Sequence, residues 1–81
     1  MKTAIIRCGD YVRFIITKHP EYRVQKLQEN MPVGSDLVLM GVTSTKAKDI
    51  RLQFANCQVR NSIWYELNGE FEEYLSRIIG R

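Results

Sequence analysis

Four cations stand where they could meet phosphate oxygens: Arg13, Arg23, Lys26 and Arg51. Arginine offers a planar fork of donors suited to phosphate, and lysine adds a compact positive charge. Arg13 lies in a run of β-branched and aromatic residues, whereas Arg23 and Lys26 lie in a stretch with helical spacing. Arg51 belongs to a second helical stretch. Lys46 and Lys48 occupy its first turn, although the helix dipole disfavours cations there. The four cations can line one electropositive face, or they can be independent solvated charges. Trp64-Tyr65 can stack a base or fill a core. His19, the single histidine, precedes Pro20 and has no evident acid–base partner, which suits a surface or capping role. Cys8 and Cys57 do not form a metal-type spacing, and no metal site is expected from them.

The bulk composition narrows the classes. The formal net charge is +3 and the sequence pI about 9.1. Residues 1–60 carry ten Lys and Arg against five Asp and Glu, while residues 61–81 carry two against four. The positive charge therefore sits in the first three quarters of the chain, as a nucleic-acid footprint would require. A chain of 81 residues forms one small domain, 1–81, burying ~60% of its unfolded surface. No apolar run approaches the ~20 residues of a membrane span. Residues 1–8 lack the long apolar core and small-residue cleavage site of a secretory signal. The expectation is a cytoplasmic chain, away from membranes, with Cys8 and Cys57 reduced and buried as small hydrophobes.

The elements that must position these residues begin with a hairpin. Residues 3–8 and 11–17 flank Gly9-Asp10, a dipeptide suited to a two-residue turn. Counting from that turn pairs Cys8 with Tyr11, Ile6 with Arg13 and Ala4 with Ile15 on one side of the ribbon. Thr3–Ile16, Ile5–Phe14 and Arg7–Val12 fall on the other. Pro20 with Glu21 starts a helix whose apolar positions are Val24, Leu27 and Met31, with Pro32 and Gly34 as its stop. The run 36–42 suits a strand covered on both faces, with Gly41 marking a bulge or a close approach. Ser44 and Thr45 offer caps for a second helix with the stripe Ala47, Ile50, Phe54 and Cys57. Residues 63–65 suit a short strand or turn. Asn68 caps a last helix carrying the stripe Phe71, Tyr74/Leu75 and Ile78/Ile79, and Gly80 ends it. The predicted fold is α+β, a three-stranded sheet packed with about three helices. The Ile5/Phe14/Ile16 side should be covered, and the Ala4/Ile15 side, which carries Arg13 and Tyr11, more open.

From Ile5 to Leu67 the chain resembles the GIY-YIG endonuclease superfamily, in its short phage and bacterial branch. The matching text is Ile5-Ile6-Arg7, Gly9-Asp10, Val12-Arg13-Phe14, Thr17-Lys18, Pro20-Glu21, Arg23-Val24, Leu27-Gln28 and Asn30-Met31-Pro32. It continues with Ile50-Arg51, Phe54 and Trp64-Tyr65-Glu66-Leu67. The resemblance implies a GIY-YIG-like fold and DNA cleavage with one divalent metal, Mg in an active member. It implies a catalytic Tyr at position 4, a Gly at 15, an Arg at 23 and a metal-holding Glu at 47. This sequence keeps Arg23 but has Ala4, Ile15 and Ala47 at the other three. Asp49, the nearest carboxylate, is rotated ~200° from Ala47 around a helix.

The functional expectation is accordingly a catalytically degenerate nuclease-like domain, with the question of enzyme activity left open and leaning against it. It would bind nucleic acid, DNA in the first instance, through Arg13, Arg23, Lys26 and Arg51, with no cofactor. Two alternatives stand beside it. One is a small phage-type protein-interaction or inhibitor module, which an apolar patch at Ala4, Ile6 and Ile15 would favour and which could be a homodimer. The other is an Mg-dependent endonuclease, either active or experimentally inactivated through Ala4 and Ala47.

Overall fold

The computed structural model describes residues 2–31 and 36–79. Two strands, β1 (Lys2–Cys8) and β2 (Tyr11–Thr17), form the hairpin, with Gly9 at φ 61° in the turn. The left-handed conformation at Gly9 is one that a residue without Cβ adopts freely. Pairing follows the expected register from Cys8↔Tyr11 through Ala4↔Ile15 to Thr3↔Ile16. Next come α1 (Pro20–Glu29), β3 (Val38–Thr43), α2 (Ala47–Gln53), a 3-10 turn at Ala55–Cys57, β4 (Tyr65–Glu66) and α3 (Gly69–Ile78).

The sheet has four antiparallel strands in the order β3-β1-β2-β4, one more than the sequence suggested. The addition is the aromatic stretch. Tyr65 pairs with Val12, and the Leu67 N–H donates to the Asp10 carbonyl at 2.8 Å, tying β4 to the hairpin tip. The run at 36–42 is an edge strand, not a strand covered on both faces: Val38 is exposed and most of β3 is half-buried.

Both faces of the sheet are covered. On one, Ile5, Val12 and Phe14 pack with Ala47 and Ile50 of α2, Phe54, Tyr65, and Phe71 and Leu75 of α3. Phe54 and Phe71 stack with centroids 4.2 Å apart, and Phe14 leans on Tyr65 at 5.6 Å. On the other face, Ala4, Ile6 and Ile15 pack beneath Val24 and Leu27 of α1, with Leu37 and Leu39. The expectation of an open Ala4/Ile15 side is therefore corrected. The apolar stripe of α1 needs an apolar platform, and these three residues supply it. Ile16, expected in the core, is exposed at the far end of β2.

Helix ends follow local chemistry with one exception. Pro20 opens α1 after an N-cap at His19 whose side chain makes no cap bond. Asn68 Oδ1 accepts from the Phe71 N–H at 2.8 Å, the expected cap of α3. Neither Ser44 nor Thr45 caps α2: its N-cap is Lys46, without a side-chain bond. The Thr45 carbonyl instead accepts from Thr3 Oγ1 at 2.8 Å, which ties the approach to α2 onto buried Thr3. The stop proposed at Pro32 and Gly34, and that at Gly80, lie outside the described residues.

Gly41 has a mechanical role. Ile5 pairs with Gly41 but Ile6 pairs with Leu39, so Met40 is the extra residue of a bulge. A Cβ at position 41 would lie 2.5 Å from Ile79 Cγ2. Gly41 thus lets the end of α3 close onto β3. Replacing Gly41 with Ala should destabilise the fold by about 1–3 kcal/mol through overpacking. In urea unfolding, the penalty of Gly41→Ala should shrink in the background of Ile79→Ala. Strict additivity of the two changes would refute the contact.

Candidate nucleic-acid interface

The sheet runs out of cover along one edge of β2. β4 pairs with Tyr11 and Val12, and among the described residues no strand pairs with the outer edge beyond that point. In an antiparallel ladder, directly opposed residues alternate between bonded and non-bonded pairs. Counted from the two-residue turn, Phe14 falls in a non-bonded pair, and its carbonyl points away from β1. Arg51 meets it: Nη2 donates to the Phe14 carbonyl at 2.8 Å. A charged donor satisfies a backbone acceptor that the sheet leaves without a partner. This bond fixes the Arg51 guanidinium at the β2 edge although α2 packs on the opposite face from α1.

Arg13 approaches the same edge from the α1 side. Its guanidinium carbon lies 5.8 Å from the centroid of the Trp64 ring, within cation–π range. Its Nε is buried without a hydrogen-bond partner. Burial, and then the like charges of Arg23 and Arg51, hold the Arg13 guanidinium below its ordinary pKa. This coupling shows that arginines from β2, α1 and α2 share one neighbourhood. The ion pairs among the described residues are Arg7–Glu72, Lys26–Glu29 and Arg77–Glu73, so none of the three arginines has a carboxylate partner there.

The expected basic residues divide accordingly. Arg13, Arg23 and Arg51 come together, not on an open sheet face but around a sheet edge. Lys26 is engaged elsewhere, 3.7 Å from the Glu29 carboxylate and 5.5 Å from the Tyr22 ring. Trp64 and Tyr65 also divide. Tyr65 is core, and Trp64 is half-buried against Arg13. The role of Trp64 as the partner of Arg13 had no signal in residue spacing, because a turn at 59–62 brings it there. The Ser62 N–H donates to the Val59 carbonyl at 3.0 Å, with Asn61 at φ 57° in the left-handed region that asparagine tolerates.

The positions implied by the nuclease resemblance do not assemble. Ala4 and Ile15 are direct cross-strand partners, buried under α1. Arg23 lies on the exposed part of α1. Ala47, the first residue of α2, is buried in the opposite core with Phe71 and Leu75 of α3. Its methyl group offers no oxygen, and Asp49 faces solvent, so the residues at that position do not fit a divalent metal. Among the described residues no three His, Cys, Asp or Glu side chains are grouped as metal ligands. Cys8 and Cys57 are free and only half-buried, short of the full burial expected.

A charge held partly dry beside two like charges lowers the stability of the unliganded fold. Arg13→Met keeps the apolar stem, removes the unsatisfied Nε and relieves both repulsions. In urea denaturation it should raise the midpoint slightly, by less than ~1 kcal/mol because solvent screens most of the side chain. A lowered midpoint would mean that Arg13 serves the fold instead.

Comparison with known proteins finds no matching family model, no matching curated protein and no matching solved structure.

Proposed function

We propose that this chain binds nucleic acid through phosphate contacts from Arg13, Arg23 and Arg51 at the open edge of β2. One observation carries the reading: the partly buried Arg13 guanidinium, whose Nε lacks an acceptor, stands near the like charges of Arg23 and Arg51, and none of the three has a carboxylate partner among the described residues. A phosphodiester supplies the missing negative charge and acceptor oxygens together. Phosphate contacts carry no base information, so binding is largely independent of sequence. Lys26, tied to Glu29, adds long-range attraction and no direct contact.

This reading agrees with a nuclease-like domain that retains binding and has lost cleavage, and DNA is the first ligand to test. The large-opposite-small exchange at Ala4 and Ile15 supports it, since the two side chains pack as a closed pair. A protein-interaction module or homodimer would have gained support from an apolar surface at Ala4, Ile6 and Ile15. Those residues are buried under α1 and offer no such surface.

Fluorescence anisotropy with a labelled DNA duplex should show affinity falling steeply with salt. Three phosphate contacts give a slope of log K against log salt of roughly −2.7, and each Arg→Ala change should remove about 0.9 of it. Lack of any DNA or RNA affinity at low salt would remove this function. Incubation of supercoiled plasmid with Mg²⁺ or Mn²⁺ should yield no nicked product. Metal-dependent nicking would put an endonuclease in its place.

A further inference from the structure

The arginine cluster has an apolar neighbour. Cys8, Tyr11, Met31, Val59, Ser62 and Trp64 line an open depression of about 280 Å³ whose walls are mainly apolar. It occupies the hairpin-tip end of the α1 face, near Met31, just past the end of that helix. Two of its residues are aromatic: Tyr11, 44% exposed, and half-buried Trp64. Trp64 belongs to both features, since the Arg13 guanidinium stands over its ring. Tyr11 and Arg13 are two apart on β2 and share a face, with Cα atoms separated by about 7 Å.

The wall that carries Trp64 is preformed. The Val59 N–H donates to the Trp64 carbonyl at 2.9 Å, and the Trp64 N–H donates to Ser62 Oγ at 3.0 Å. Gln58 Nε2 donates to the Ser62 carbonyl at 2.9 Å. The turn thus holds its shape through its own bonds, and ordering the slot adds little to the entropy of binding.

A slot with aromatic walls suits a flat π-system, and a cationic rim suits an anion attached to it. A nucleotide unit joins those two groups at that scale. In a duplex the bases are paired and stacked, and reaching such a slot would require flipping one out. A single strand presents bases freely to aromatic side chains.

We infer that the depression receives an unpaired nucleobase of a single strand whose flanking phosphate lies against Arg13, so that the protein prefers single strands to duplexes. This rests on the phosphate-binding reading above. Trp64 is the only tryptophan, so its emission reports directly on the slot. The test titrates the whole chain with a twelve-residue thymidine strand, its uridine counterpart and a DNA duplex of equal length. Trp64 emission and anisotropy are both followed. The single strands should bind more tightly and alter Trp64 emission more than the duplex does. The exposed position of Tyr11 makes Tyr11→Ala compatible with the fold. That change should weaken single-strand binding roughly tenfold while leaving duplex affinity and the salt slope unchanged. Trp64→Phe should keep part of the single-strand preference. Equal affinity for strand and duplex, with no response from Trp64 or Tyr11→Ala, would overturn the slot and leave phosphate binding standing. Absence of binding to all three probes would overturn both.

Discussion

A central strand that is dry on both sides sets the terms for everything else in this protein. Thr3, Ala4, Ile5 and Ile6 of β1 are consecutive and buried, so each face of the sheet needs its own cover. Among the described residues, three short α-helices are there to provide it. One face receives α2 and α3 and a full aromatic cluster. The other receives α1 alone, no residue of which is fully buried. Cover therefore gives out first towards the hairpin tip on the α1 side and along β2 beyond its short pairing with β4. The arginines and the apolar slot lie there because backbone and ring surface remain available there.

The chemistry at that edge follows from the same shortage. An unpaired strand edge leaves carbonyls without partners, and a buried carbonyl without a partner is destabilising. Arg51 resolves this for Phe14 by reaching around from α2. In doing so it brings its charge near Arg13, which is already partly dry beside Trp64 and near Arg23. The fold thus satisfies a backbone acceptor by concentrating positive charge. An anion placed at this edge would relieve the repulsion that the free chain carries. Under the proposed function, binding and instability would share a physical origin, as in many binding sites held in a conformation that suits the ligand better than the apo protein.

Positions 4, 15 and 47 show how resemblance and geometry can part. The register of the hairpin puts position 4 against position 15 by strand alternation alone. Whether position 47 joins them depends on which face α2 chooses. Here α2 follows the Ile5/Phe14 face, because Ile50 and Ala47 complete the aromatic core with Phe71 and Leu75. With α1 on the opposite face, residues that a linear motif would group are separated by the thickness of the sheet.

Local rules carried much of the fold. The Gly9-Asp10 corner and its pairing, the Pro20 start of α1 and the Asn68 cap are each decided by residues near in sequence, whereas the close approach at Gly41 needs Ile79 from the far end of the chain. Turn chemistry, proline geometry and side-chain caps act over one to four positions, and so they are legible in the chain itself. Three matters were decided only by tertiary structure. Tyr65-Glu66 became a fourth strand because the hairpin tip offered it an edge. The Ala4/Ile15 face was closed because α1 needed a platform for Val24 and Leu27. Arg13, Arg23 and Arg51 met while Lys26 turned to Glu29, since packing on two faces fixes where each helix points its charges. Spacing along the chain names the cations, but only the burial of neighbouring surface determines which of them must share a place.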